Sequence, residues 1–176
     1  MRETTLMRRV MVIGCSGAGK STLSRQLSAM LHLPLIGLDL HYWKAGWKPT
    51  ARPEWRDRVS TLVAAPEWIM DGNFAGTFDL RMPRADTLIW LDFPRHICLR
   101  RVLARVIRDH GRNRPDLPEG CPEKFDPAFL WYVWTFNAKE RPLIAPAIAR
   151  FGAHLDVIAL ADDRQVDRFR AAHGVS

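Results

Sequence analysis

Short apolar runs alternate along this chain with stretches in which apolar residues recur every three or four positions. The unbroken runs RRVMVIG (8–14), PLIGLD (34–39), EWIMD (67–71), DTLIWLD (86–92) and HLDVIAL (154–160) predict five buried strands. Between the first two, Leu23, Leu27, Met30 and Leu31 share one face of a helix predicted over 20–32. Pro53 opens another helix, with Trp55, Val59, Leu62 and Val63 facing inward. A third covers 95–110 and ends at Gly111. Asp126-Pro127 reads as the cap and first turn of an aromatic helix, FLWYVWTF, with Trp131, Trp134 and Phe136 expected in the core. Pro142 and Pro146 are expected to interrupt the segment beyond that helix, and Asp162 or Asp163 to cap a last helix. The segments 41–50 and 111–126 have no period and read as loops.

Strands alternating with helices predict an α/β fold: a five-stranded parallel sheet with helices on both faces, in one domain of 176 residues. Ligands meet such sheets at the carboxyl ends of the strands. The positions of interest are therefore 14–21, Asp39, Asp71-Gly72, Asp92 and the turn at 161–163.

Composition excludes several classes. No apolar run approaches the ~20 residues of a membrane span, and the apolar segment after the N-terminal arginines is too short for a signal-peptide core. A cytoplasmic protein with no membrane partner is expected. Three widely spaced cysteines make neither a disulfide framework nor a zinc pattern. The net charge of +7 is focused: residues 95–114 hold seven arginines, no lysine and one acid. A focused excess points to a defined anionic ligand.

Residues 14–21, GCSGAGKS, carry the strongest chemical signal. Gly14-x-x-x-x-Gly19-Lys20-Ser21 is the phosphate-binding loop pattern, set between a strand and a helix as its mechanism requires. Glycines let the backbone approach an anion, and free N–H groups at the helix start point at phosphate oxygens. Lys20 supplies a mobile charge for the β- and γ-phosphates, and the Ser21 hydroxyl suits Mg²⁺. The pattern commits the chain to a nucleoside triphosphate and Mg²⁺ without naming the phosphate acceptor. Cys15 reads as a small loop residue.

Three aspartates end strands. Asp71 can hold a Mg²⁺-bound water, Asp39 can take a proton from an acceptor hydroxyl or anchor the substrate, and Asp92 is a third candidate. The bland alternative for each is a turn cap. On the helix over 95–112, Leu99, Val102, Leu103, Val106 and Ile107 fall on one side and Arg101, Arg105, Arg108 and Arg112 on the other, leading into Arg114. A solvated face is the plain alternative, but an all-arginine stripe suits phosphate clamping. His41, Tyr42, Trp43 and Trp47 crowd the loop beside Asp39, as an acceptor pocket or as a small satellite core.

With these residues in view, the chain resembles the adenylate-kinase-like P-loop kinases over nearly its full length. Within them it is most similar to bacterial proteins labelled DNA topology modulation proteins (FlaR-like). The segments that carry the likeness are VIGCSGAGKSTL, LDLHYWKAGW, WIMDGNF, DLR, RADTLIWLDFPR and GRNRPDLPEGCPEKFD. The resemblance implies an acceptor-binding insertion around 40–65 and an arginine-bearing lid around 108–127. It matches Gly14, Ser16, Gly17, Ala18, Gly19, Lys20, Ser21 and Thr22 to the phosphate loop and Asp71-Gly72 to the end of the third strand. Arg101 and Arg105 fall to the ATP side, and Arg112 and Arg114 match lid arginines of the catalytic set with Lys20, Asp39 and Asp71. It also implies that 161–165 packs near adenine. Asn73-Phe74 stands where the family continues Phe-Pro-Arg, so Arg81 is the substitute for the acceptor-phosphate arginine. The acceptor would then meet Asp39, Tyr42, Trp43, Gly72, Asn73 and Arg81.

The leading expectation is a kinase that moves the ATP γ-phosphate to a nucleotide or other small molecule. Set beside it are a nucleic-acid-associated ATPase or regulator using the arginine stripe, and a nucleotide-binding protein without turnover. No Asn-Lys-x-Asp signature suggests a GTPase switch.

Overall fold

The computed structural model describes residues 7–174. In chain order the elements are β1 (Arg9–Gly14), α1 (Lys20–Leu31), β2 (Leu35–Gly37), α2 (Leu38–Tyr42), β3 (Trp43–Lys44), β4 (Lys48–Pro49), α3 (Arg52–Val63) and β5 (Trp68–Asp71). After a short 3-10 turn at Ala75–Thr77 come α4 (Phe78–Arg81), β6 (Thr87–Leu91), α5 (Arg95–Asp109), α6 (Pro127–Lys139), α7 (Arg141–Phe151), β7 (Asp156–Leu160) and α8 (Asp163–Ala172).

Five strands form one parallel sheet in the order β2-β5-β1-β6-β7. Side chains on a strand point alternately to opposite faces, and β1 shows the result. Val10 and Val12 enter one core with Ile69, Ile89, Leu23, Leu27, Cys98, Val102, Val133 and Phe169. Met11 and Ile13 enter the other with Met70, Leu88, Trp55, Val59, Phe78 and Ile144. Helices α1, α5, α6 and α8 thus cover one face and α3, α4 and α7 the other. The predicted α/β sheet with helices on both faces is the observed fold.

Register sets the carboxyl edge. Val12 and Gly37 both pair with Asp71, and Gly14 pairs with Leu91. The phosphate loop therefore leaves the central strand between the ends of β5 and β6.

Several elements differ from expectation. The second strand stops at Gly37, and Asp39 lies on α2 rather than at a strand end. The segment 41–50 is not featureless: Trp43–Lys44 and Lys48–Pro49 pair as an antiparallel hairpin. Pro142 lies in the first turn of α7, where its missing N–H costs nothing, and Pro146 is accommodated inside that helix rather than ending it. Trp131 is 61% exposed and Trp134 is also exposed, so only Phe136 of the three aromatics belongs to the core. Trp134 lies under the guanidinium of Arg95, 4.1 Å from its ring centre. Asp126 and Asp162 cap α6 and α8 as expected, accepting from Ala128 and Phe129 and from Gln165. Among the described residues no helix is long and apolar enough to cross a membrane.

Candidate nucleotide and acceptor site

The loop after β1 is shaped by what its glycines touch. At Gly17 (φ 86°) a Cβ would lie 2.4 Å from the carbonyl oxygen of Cys98, so the loop rests directly on α5. At Gly19 (φ 99°) a Cβ would meet nothing within 4 Å, so this backbone faces open space. One glycine packs the loop down and the other leaves room for an anion at the start of α1. Lys20 Nζ donates to the carbonyl oxygen of Cys15 at 3.2 Å, folding the cation back over its own loop.

Two carboxylates flank that lysine. Asp71 is 8% exposed, and its Oδ1 has no hydrogen-bond partner among the described residues. Burial pushes its pKa above the ordinary carboxylate range, opposed by the Lys20 charge and a hydrogen bond from Ser21. A buried, unpartnered carboxylate oxygen beside a hydroxyl at a helix start is a donor set that fits a hard divalent cation such as Mg²⁺. Asp39 is half-buried and accepts from Trp43 Nε1 at 3.3 Å. Burial also raises its pKa; Lys20 opposes this, while the like charge of Asp71 reinforces it.

The arginines are not a free stripe. Arg101 holds Asp163 at the start of α8 in a two-pronged pair at 2.7 and 2.6 Å. Arg105 pairs with Glu123 at 3.2 Å, and Arg108 with Asp109 at 2.8 Å. Arg114 pairs with both Asp116 and Glu123, the latter at 3.1 Å. Arg112 is exposed. Ile107, expected on the buried side of α5, is 81% exposed; Cys98, Val102 and Val106 are the residues that pack. Burial, with the neighbouring Arg114 charge, holds the Arg105 pKa below its usual value. Burial acts the same way on Arg114, but the bonds and charges of Asp116 and Glu123 outweigh it and raise that pKa. Glu123 is only 5% exposed, so one buried carboxylate aims two guanidinium groups. Neither Asp116 nor Glu123 was a sequence candidate; their one signal is that they are acids within ten residues of Arg114, in a loop of four acids and three bases.

Arg81 corrects an expectation. It is fully buried, and its donors are taken by Thr77 Oγ1 and by the carbonyl oxygens of Gly72, Asn73 and Phe74. Its guanidinium shapes the loop after β5 and is not presented to an acceptor phosphate. Burial pushes its pKa down to about 9. Asp92 is likewise engaged, bound by Arg141 at 2.8 Å.

Two cavities open at this edge. One of about 220 Å³ is lined by Gly17, Gly19, Thr22, Phe93, Arg101, Asp163 and Val166, among others, and Arg101 lies 5.0 Å from the centre of the Phe93 ring. The other, about 350 Å³, lies between α2, α3 and the loop after β5. Tyr42 lines the second cavity, and Trp43 packs edge-on to Tyr42 at 4.9 Å. The side-chain Oδ1 of Asn73 has no partner among the described residues, and Tyr132 of α6, not singled out from the sequence, lies close to Asn73 and Asp39. The loop 111–126 is joined to the hairpin: Gly46 N donates to Gly120 O at 2.8 Å and Trp47 Nε1 to Pro122 O at 3.1 Å.

A family model described as an AAA domain matches residues 10–117, more than half of the chain. The uncharacterized protein YqaC of Bacillus subtilis (strain 168) is 29% identical over 110 residues, 61% of this chain. That match spans 62% of the relative's length, less than two thirds. Among solved structures, a shikimate kinase from Bacteroides thetaiotaomicron superposes with a TM-score of 0.54 at 19% identity, covering 94% of this chain and 98% of that one. A shikimate kinase from Acinetobacter baumannii in complex with shikimate gives 0.55 at 13% identity, over 96% and 94%. YorR from Bacillus subtilis, in complex with phosphorylated GDP, gives 0.53 at 13%, over 93% and 94%. At these identities the likeness is one of fold, that of the P-loop kinases.

Proposed function

The chain belongs to this AAA domain family, and from that premise we propose that it is an ATP-dependent phosphotransferase acting on a small-molecule acceptor. The observation that carries the reading is the mutual proximity of Lys20, Asp39 and Asp71 at the carboxyl edge of the sheet, with one cavity on the phosphate loop and another beside α2. The smaller cavity, floored by the phosphate loop and walled by Arg101 and Phe93, suits the nucleoside of ATP. The 14–22 loop amides and Lys20 hold its phosphates. Ser21 and Asp71 would hold Mg²⁺, which supplies charge neutralisation for phosphoryl transfer. Arg105 and Arg114, aimed by Glu123, stand over the same edge to offset negative charge as it develops. Asp39 accepts the proton of an acceptor hydroxyl held from the larger cavity. These requirements agree with a cytoplasmic enzyme.

A nucleic-acid role would rest on free guanidinium groups. Of the stripe, Arg101, Arg105 and Arg108 have carboxylate partners among the described residues and Arg112 does not, so a polyanion would find fewer free guanidinium groups than the helical pattern promises. The test is ADP release from Mg-ATP, alone and with a panel of acceptors, by the wild type and by Lys20→Ala. Acceptor-stimulated release that disappears in Lys20→Ala is expected; stimulation retained without the lysine would refute the mechanism.

A further inference from the structure

The larger cavity has a chemistry of its own. Its walls include Tyr42, Trp55 and Phe74, whose ring centres stand 4.8 to 5.1 Å apart, with Pro49 beside them. Such a wall stacks on a flat, apolar occupant and offers little to a polyol.

The surrounding cations are already engaged. Arg56 is forked onto Asp79 and also donates to Gly76 O at 2.7 Å. Arg58 is held by Glu54 and by the carbonyl oxygen of His41. Arg81 is buried on the carbonyls of 72–74. Of the arginines lining the cavity, only Arg52 has no carboxylate partner among the described residues. Negative charge, by contrast, is close. Asp39 shares α2 with Tyr42 and is joined to it through Trp43.

A phosphate ester presented to Asp39 would meet a like charge, with Arg52 the one lining guanidinium that has no carboxylate partner among the described residues. It would also have no use for a base, because its oxygens are already ionised. A hydroxyl gains from both features: it is uncharged, and it needs a proton acceptor. Resting on the kinase reading above, we propose that the acceptor is a planar-ring alcohol that carries no phosphate of its own. In the transfer, the hydroxyl oxygen bonds to the γ-phosphorus. The bond from that phosphorus to the bridging oxygen breaks, its electron pair leaves on ADP, and the hydroxyl proton passes to Asp39.

Matched probes separate this from the alternatives: adenosine against adenylate, thymidine against thymidylate, and pyridoxine against pyridoxine phosphate, with shikimate as a non-aromatic polyol. Two readouts are taken on the full chain: ADP release with Mg-ATP, and quenching of tryptophan fluorescence without ATP, to which the Trp43–Tyr42–Trp55 cluster is sensitive. At least one ring alcohol is expected to exceed its phosphate ester on the order of tenfold in kcat/KM. Asp39→Asn should remove its stimulation while keeping its quenching. A preference for the phosphate esters, or for shikimate, overturns the inference and leaves the kinase reading standing. Quenching by ring alcohols with no ADP release from any probe supports the pocket's chemistry and overturns the kinase reading. Neither signal from any ring alcohol overturns the inference.

Discussion

Arg81 donates through Nη2 to the carbonyl oxygen of Phe74 at 3.1 Å, and Phe74 is held at φ 38°. An aromatic residue in the left-handed region is strained and persists only where its surroundings impose it. Here a buried cation holds three successive carbonyls and turns the Phe74 ring toward Tyr42 and Trp55. Arg81→Ala leaves those carbonyls unpaired and should cost about 3 kcal/mol or more of stability. Arg81→Lys should recover only part, since an ammonium cannot fork across them. Urea unfolding midpoints decide it; a loss under about 1 kcal/mol would show that the loop keeps its shape unaided.

The buried carboxylates predict a trade between stability and activity. Burial raises the pKa of Asp71, so its proton is bound more tightly in the folded state. Its contribution to stability is full below the unfolded value of ~3.9 and is lost as pH rises through the folded value. Asp71→Asn should therefore raise the urea midpoint near pH ~8, by a margin that shrinks towards pH ~4, while transfer activity is lost. A margin independent of pH would show that burial of charge is not its source.

In the proposed transfer Asp39 has to be ionised to take a proton, and burial raises its pKa as well. The acid limb of kcat should consequently lie above the ordinary carboxylate range, with activity rising as pH rises through it. The limb should be absent from the residual rate of Asp39→Asn; a limb that persists there belongs to another group.

The two glycines of the phosphate loop should respond differently. Gly17→Ala combines a left-handed backbone with a Cβ driven into the Cys98 carbonyl, and should cost more than ~2 kcal/mol. Gly19→Ala meets no neighbour and should cost about 1 kcal/mol from backbone strain, yet weaken ATP binding. Thermal unfolding paired with ATP calorimetry separates the effects; equal destabilisation by both would contradict the assigned packing.

Trp47→Phe removes the indole donor to Pro122 while keeping an aromatic ring. Faster proteolysis within 111–126 and more acceptor-independent ADP release are expected. Unaltered cleavage would mean that this contact does not hold the 111–126 loop.

The phosphate loop was legible because its geometry is made by consecutive residues, 14 to 22, between two elements with clear periodicity. Asp71 was legible because a four-residue buried strand ends on it. The partners of the arginines were not. A helical repeat gives the direction in which Arg101 and Arg105 point but not what folds back to meet them: Asp163 lies 62 residues on from Arg101, and Glu123 18 from Arg105. Arg81 looked free for the same reason, since the carbonyls that engage it are backbone atoms without a sequence signature. Trp131 and Trp134 misled because hydrophobicity alone does not reveal which face of α6 the sheet leaves uncovered.

The hydrogen bonds that tie Gly46 and Trp47 to residues 120–122 also define an equilibrium. With the Cys121 thiol donating to Lys44 O at 3.3 Å, they total about 2 to 3 kcal/mol and leave on the order of one per cent of molecules parted at any moment. A compound that enters between the hairpin and the 111–126 loop would bind only that fraction, and its apparent affinity would be diluted accordingly, with every residue lining the larger cavity left as it is.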